Sequence, residues 1–410
     1  MTKSNSNNAW HEVLLEDVAD ELTVGHVGPM ASEYVPNGIP FLRSQNVESL
    51  RINTKDLKFI TPEFHTRLRK SQLKPGDVVI VRTGKPGACS VVPEWLPDSN
   101  CSDLVIVRCG KQLNNRFLAY YVNTVASRHV AAHLVGAVQQ HFNVGSARML
   151  RINLPPISQQ TAITAVLGAL DDKIELNRRM NATLEAMARA LFQSWFVDFD
   201  PVRAKLDGRQ PPGLDRATAG LFPNEFHDSE LRRIPKGWDV VSLEALATIR
   251  GGKQLPTEEC LPIGEFPVFG ANGIMGYSAE ATRDGFVIAF GRVGAYCGSI
   301  HWSLDGAWIN NNASAVVPTQ WPAFVLQSML NIDFNSMRTG SAQPFIPNSS
   351  LASAKVIRPS PRIAEAFCRI VAPLRRQQAD NERQSRTLAT LRDTLLPKLL
   401  RGEIRLQNNT

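Results

Sequence analysis

Three Gly-Lys dipeptides, Gly84-Lys85, Gly110-Lys111 and Gly252-Lys253, are the first places to look for phosphate chemistry. A P-loop wraps a triphosphate in main-chain N–H groups and one lysine. None of the three has a glycine five positions before its own glycine, and none is followed by Ser or Thr, so no Walker-type site is written here. His129 and His133 stand four apart, as two zinc ligands on one helix face would, but Val130 fills the place of a metalloprotease glutamate. Neither Pro75-Gly76-Asp77 nor Pro97-Asp98 is followed by the Glu-x-Lys of a common nuclease site. The Pro-Pro pairs, Leu154-Pro155-Pro156-Ile157 and Gln210-Pro211-Pro212-Gly213, lack the Asn/Asp and the aromatic ring that an amino-methyltransferase places around them. No metal or cofactor is called for. Basic and amide side chains near glycine turns remain, all able to meet phosphates or base edges. They are Arg82, Lys85, Gln139, Gln140 and His141 in the first half, and Lys253, Arg292, Arg338 and Gln343 in the second.

These candidates fall on a chain written twice. Trp10-His11-Glu12-Val13-Leu14 opens one copy and Trp238-Asp239-Val240-Val241-Ser242 the other. An apolar run ending in a glycine turn, Val79 to Ala88, matches Phe286 to Ala295, aligning Gly84 with Gly291 and Lys85 with Arg292. Gly136, Gln139, Ile152 and Pro155 then pair with Gly340, Gln343, Val356 and Pro359 at a constant offset of 204. The globular parts are rich in Gly, Pro, Asn and short apolar runs, which favours mixed sheet and helix.

A heptad stripe follows each copy. Leu167, Leu170, Ile174, Leu184 and Leu191 lie on the first, and Val371, Leu374, Leu388 and Leu395 on the second, with polar midsections that include Asn177 and Asn381. One helix with a single apolar seam cannot bury it alone, so the two are expected to pair as an intramolecular antiparallel coiled coil. Asn177 and Asn381 would then hydrogen-bond across the seam and fix its register. Residues 201–236 carry Pro211, Pro212, Gly213 and Pro223 without periodicity and read as a linker. The expected fold class is α+β, two duplicated heads separated by two long antiparallel coiled-coil helices.

With 410 residues the chain is long enough for two or three domains. Its 45 Lys+Arg against 38 Asp+Glu leave a net charge of +7, which suits an anionic partner. Six cysteines without a Cys-x-x-Cys pair suggest neither a zinc site nor a disulfide framework, and with no signal-like or membrane-length apolar run the expected place is the cytosol.

Three further motifs carry a resemblance: Ile234-Pro235-Lys236-Gly237-Trp238, the run Leu191-Phe192-Gln193-Ser194-Trp195-Phe196-Val197-Asp198-Phe199-Asp200-Pro201-Val202, and Leu396-Pro397-Lys398-Leu399-Leu400-Arg401-Gly402-Glu403-Ile404. Together with Leu154-Pro155-Pro156, the chain resembles the specificity subunits of type I restriction-modification systems over nearly its whole length. The resemblance implies two target-recognition domains, 1–157 and 237–360, each reading half of a split site in double-stranded DNA. Spacer helices would occupy 158–200 and 361–406, docking two methyltransferase subunits and, in the full complex, restriction subunits. Catalysis would reside in those partners. Asn8-Ala9-Trp10 lacks the Pro-Lys-Gly lead-in of the second copy, and Gln159-Gln160 replaces the usual Glu-Gln. A methylation-only complex and an RNA-binding or scaffolding coiled-coil protein are the alternatives.

Overall fold

The computed structural model describes residues 10–125, 142–340 and 343–406. It forms two units, Met1–Glu175 with Arg386–Thr410, and Leu176–Ser385. Both long helices, Ile157–Phe192 and Pro361–Leu400, contribute one end to each unit.

In the first unit, β1 (His11–Leu14) pairs antiparallel with β8 (Arg151–Leu154) and closes the head. Its main sheet holds β2 (Ala19–Val24), β4 (Val78–Val81), β5 (Cys89–Val91) and β7 (Leu104–Cys109), in the antiparallel order β5-β4-β7-β2. A second sheet contains β3 (Ile39–Leu42) parallel to β6 (Ser99–Cys101). The β4 sequence Val-Val-Ile-Val is buried throughout, as β-branched residues favour when both sheet faces are covered. Alternate side chains feed different cores. Val78, Ile80, Val105 and Val107 pack with the helix Asn115–Thr124 and the long-helix ends, whereas Val79, Val81, Leu104 and Ile106 pack against Leu42 and Leu73.

The second unit repeats this plan. Here β9 (Asp239–Ser242) pairs with β17 (Lys355–Arg358). The strands β10 (Ala247–Gly251), β13 (Val287–Gly291), β14 (Ile300–Ser303) and β16 (Ala313–Pro318) follow the order β14-β13-β16-β10, matching the first unit strand for strand. The parallel pair is β11 (Phe266–Gly270) with β15 (Trp308–Ile309), and β12 (Gly273–Ser278) folds back on β11 as a hairpin. Ile288, Phe290 and Val316 enter the large core, while Val287, Ala289 and Ala315 enter the small one.

The segment expected as a linker, residues 201–236, is packed into the second unit. A π-turn, Gln193–Val197, ends the central helix, and Phe199 takes a left-handed conformation at φ 60°. Pro201 then starts the short helix Asp200–Leu206, where a missing N–H costs nothing. Asp215 caps Arg216–Leu221 by accepting from the N–H groups of Ala217 and Thr218, each at 2.9 Å. Val202, Phe222 and Ile234 are buried with Trp195, Phe196, Trp238, Phe324 and Phe367. Helices of six or seven residues are too short to display a period, so isolated anchors among Pro and Gly passed for a linker.

The heptad stripe is the buried face of both long helices. Within the second unit, Asn177 approaches Asn381, Gln384 and Ser385, Asn181 approaches Gln378 and Asn381, and Glu185 approaches Arg375 and Gln378. Numbers rise on one helix as they fall on the other, so the pairing is antiparallel. Asn177 donates to the main-chain carbonyl of Asn381 at 3.3 Å, and the Asn381 amide donates instead to the Asn181 side chain at 2.8 Å. Leu184, Leu191 and Leu374 are half-buried here and Val371 fully. In the first unit, Leu167 is buried among Leu396, Leu399 and Leu400, with Leu395 packed alongside. Leu170, Ile174 and Leu388 are half-buried.

Candidate nucleic-acid interface

Main-chain hydrogen bonds fix which residues of the two heads correspond. The turn after β4 is closed by Val81 N–H to Ala88 C=O (2.8 Å) and Gly87 N–H to Val81 C=O (3.0 Å). The turn after β13 is closed by Gly291 N–H to Ser299 C=O (2.8 Å) and Gly298 N–H to Gly291 C=O (2.7 Å). Val81 therefore matches Gly291, Arg82 matches Arg292, and Gly84 matches Gly294. The alignment expected from sequence, Gly84 on Gly291 and Lys85 on Arg292, is thus corrected by three residues. The carbonyls of Arg82 and Arg292 confirm the new register by accepting the equivalent N–H groups of Phe142 and Ile346, both at 3.0 Å. The second turn then holds one extra residue. Gly84, Gly87, Gly294 and Gly298 all have φ between 80° and 92°, a conformation natural to glycine, so each turn is Arg-x-Gly followed by a second left-handed glycine.

A second correspondence lies beside the first. Gly25 and Gly252 donate to Leu104 and Ala313, and the next residues, His26 and Lys253, donate to Cys101 and Ile309. His26 therefore occupies in the first unit the place of Lys253 in the second, and it was missed because the two heads differ in length by one residue between Ala19 and Gly25. Both glycines are required by close approach. A Cβ on Gly252 would lie 2.0 Å from the Asn310 carbonyl oxygen, and one on Gly25 would lie 2.9 Å from that of Cys101.

The candidates gather unevenly. In the first unit the Arg82 guanidinium is 18% exposed and pairs with Asp103 at 3.0 Å, while Lys85 projects from the turn into solvent. Asp103 also donates its N–H to the His26 carbonyl at 3.3 Å, so Arg82, Lys85, His26 and Asp103 form one surface. Gln139, Gln140 and His141 lie outside the described residues, as do His129 and His133.

In the second unit all four candidates border one cluster of loops. Arg292 lies 5.4 Å from the centre of the Phe345 ring, a cation–π contact, and its N–H donates to the Asn312 carbonyl at 3.1 Å. Arg338 donates to the Cys297 carbonyl at 2.7 Å. Gln343 is exposed in the loop closed by the mutual bonds of Thr339 and Phe345. Lys253 Nζ sits 5.6 Å from the Trp308 ring, beside a cleft of about 390 Å³ that Thr282 and Arg283 also line. Asn312 stands where Asp103 stands in the first unit, so that position offers Arg292 no carboxylate. Burial pushes the Cys297 thiol up in pKa, leaving it a neutral donor to the Arg292 carbonyl at 3.3 Å. Among the described residues no group of three or more His, Cys, Asp or Glu is placed to hold a metal, and no helix is long and apolar enough to cross a membrane.

Each unit thus carries a mixed-sheet head with a basic glycine turn and one pair of long-helix ends. Residues 7–186 match the family model described as the type I restriction modification DNA specificity domain. The HindI specificity subunit of Haemophilus influenzae is 27% identical over 327 residues, which cover 63% of this chain and 70% of that one. The MjaIX specificity subunit of Methanocaldococcus jannaschii is 25% identical over 295 residues, covering 63% of this chain and 61% of that one. The crystal structure of the type I restriction-modification system S subunit from M. genitalium shares the fold at a TM-score of 0.58 and 18% identity, covering 97% of this chain and 98% of that one. The chain is thus similar to type I restriction-modification specificity subunits, and its residues 7–186 carry the match to their DNA specificity domain.

Proposed function

We propose that this chain is the DNA sequence-specificity subunit of a type I restriction-modification complex, working in the cytosol. Each head reads one half of a bipartite site in duplex DNA, and the chain itself carries no catalysis. The long helices dock two methyltransferase subunits and, in the full complex, restriction subunits. What supports this reading is one loop frame built twice, Arg82-Thr83-Gly84 and Arg292-Val293-Gly294, each beside a second close-approach glycine followed by His26 or Lys253. Duplicated heads suit two half-sites, and donors on fixed loops suit phosphates and base edges.

The purified chain is expected to show no nuclease, ATPase or methyltransferase activity. Adding its methyltransferase partner should methylate adenines at a single split sequence, read by methylome sequencing. Activity in the chain alone, or methylation without a defined site, would overturn the proposal.

A further inference from the structure

The corrected register of the two turns places different chemistry at the same point of the two heads. Between its left-handed glycines the first turn has Lys85-Pro86, and the second has Ala295-Tyr296-Cys297. Cys297 turns inward and is buried, so the only large side chain at the outside of the second turn is Tyr296, which is 53% exposed. We propose that Tyr296 is a specificity-determining contact of the second head, an uncharged reader where the first head presents the Lys85 cation. This rests on the DNA-reading function proposed above.

Everything around Tyr296 is fixed except its ring. Its carbonyl accepts the Ser299 N–H at 3.0 Å, and Cys297 N–H donates to Gly294 C=O at 3.0 Å. Gly294 N–H donates to Pro344 C=O at 2.8 Å, and Arg338 holds the Cys297 carbonyl at 2.7 Å. A tyrosine has two side-chain torsions to order on binding, so a pinned main chain presents it at low entropic cost. A large exposed aromatic ring on a rigid turn has no packing role to explain it. Flanked by Arg292 and Arg338, it lies where phosphates would bring a duplex, and its ring and hydroxyl suit a thymine methyl, a sugar face or a base-edge acceptor. Tyrosine displaces no counterions, whereas lysine on phosphate does. The two turns therefore differ in salt dependence as well as in selectivity.

The test uses the full chain with its methyltransferase and duplexes carrying the site found by methylome sequencing, intact or altered in one half. The half-sites are assigned to heads by exchanging residues 10–154 with those of another family member. Tyr296→Ala should weaken the intact duplex roughly tenfold and lose discrimination in the second half-site. Discrimination in the first half and the slope of log K against log salt should stay as in the unaltered chain. Lys85→Ala should lower that slope by about 0.9 and leave the preferences of the second half unchanged. If Tyr296→Ala binds and discriminates like the unaltered chain, or weakens both halves alike, the inference is overturned while the function stands. If the unaltered complex does not distinguish its site from a scrambled duplex, the function itself fails.

Discussion

Gly252 in the second head and Gly84 in the first show how differently two glycines of a candidate loop can matter. An alanine Cβ at Gly252 would strike main-chain atoms of Asn310 and Ile309, which cannot step aside without moving the loop that Lys253 and Arg292 rest on. Gly252→Ala should therefore cost about 2–3 kcal/mol and abolish recognition by the second head. At Gly84 a Cβ meets nothing within 4 Å, and only the φ of 88° is unfavourable, so Gly84→Ala should cost about 1 kcal/mol. Denaturant melts and band shifts of the two variants would separate these outcomes; equal effects would mean that loop approach is not what the glycine serves. His301 adds a pH dependence within the second head. Its ring stacks on Phe269 at 6.0 Å, lies under Gly273, and has a buried Nε2 without a partner. Burial holds its pKa below the usual 6.5. The unfolded chain takes up the proton first as pH falls, so the stability contribution is complete above about pH 6.5 and is lost as pH drops through the folded value. His301→Gln should flatten the melting temperature between pH 7 and 5 relative to the unaltered chain. None of this was legible in sequence, since close approach and stacking are properties of neighbours brought from elsewhere in the chain.

At the scale of elements, each unit locks its helix pair with a charge that the head helps to hold. In the second unit Arg375 is 2% exposed, pairs with Glu185, donates to Gln378 at 2.9 Å and lies 5.4 Å from the Trp302 ring. Burial alone would raise the Glu185 pKa, but hydrogen bonds and charge from Arg375, with Gln378 and Gln327, bring it below the usual range. Its contribution is present at neutral pH and lost as pH falls through that lowered value. In the first unit the acid is again on the central helix: Asp171 pairs with Arg392 at 2.7 Å, and here it is the acid that the head holds, through the Tyr120 hydroxyl that donates to it. Arg375→Ala should cost about 1–2 kcal/mol, because the half-buried Glu185 keeps some solvent. The double variant Arg375→Met with Glu185→Leu should recover most of that, since a packed apolar pair replaces an ion pair at little cost. A double-mutant cycle in urea measures this, and a double variant weaker than the single would sink it. The stripe itself was legible, because a period of 3.5 needs only sequence. The Arg375 lock was not, since it lies off the stripe and needs Trp302 from a strand of the head.

At the scale of the molecule, duplication is the feature that sequence carried most clearly and also where it slipped. The offset of 204 holds from the closing strand into the helix because a helix tolerates no odd insertion without turning its seam away. Inside the heads, loops lengthen freely, and one extra residue in the second turn was enough to misalign Gly84 and hide the match of Arg82 with Arg292. Those same loops carry the candidate contacts of each head, so a head should be exchangeable as a unit. Residues 10–154 begin with β1 and end with β8, the antiparallel pair that closes the first sheet module. Replacing them with the same region of another specificity subunit keeps the helices and every residue of the second unit. The expected outcome in a methylome is a new sequence in one half-site, with the other half unaltered. Junctions that disturb Gln160 would confuse the result, because its buried amide donates to Gln112 and Pro155 and accepts from Asn114, tying helix to head. With Gln160 kept and its main-chain contacts at positions 112 and 114 supplied by the incoming head, a change in both half-sites, or in neither, would mean that the heads do not read independently.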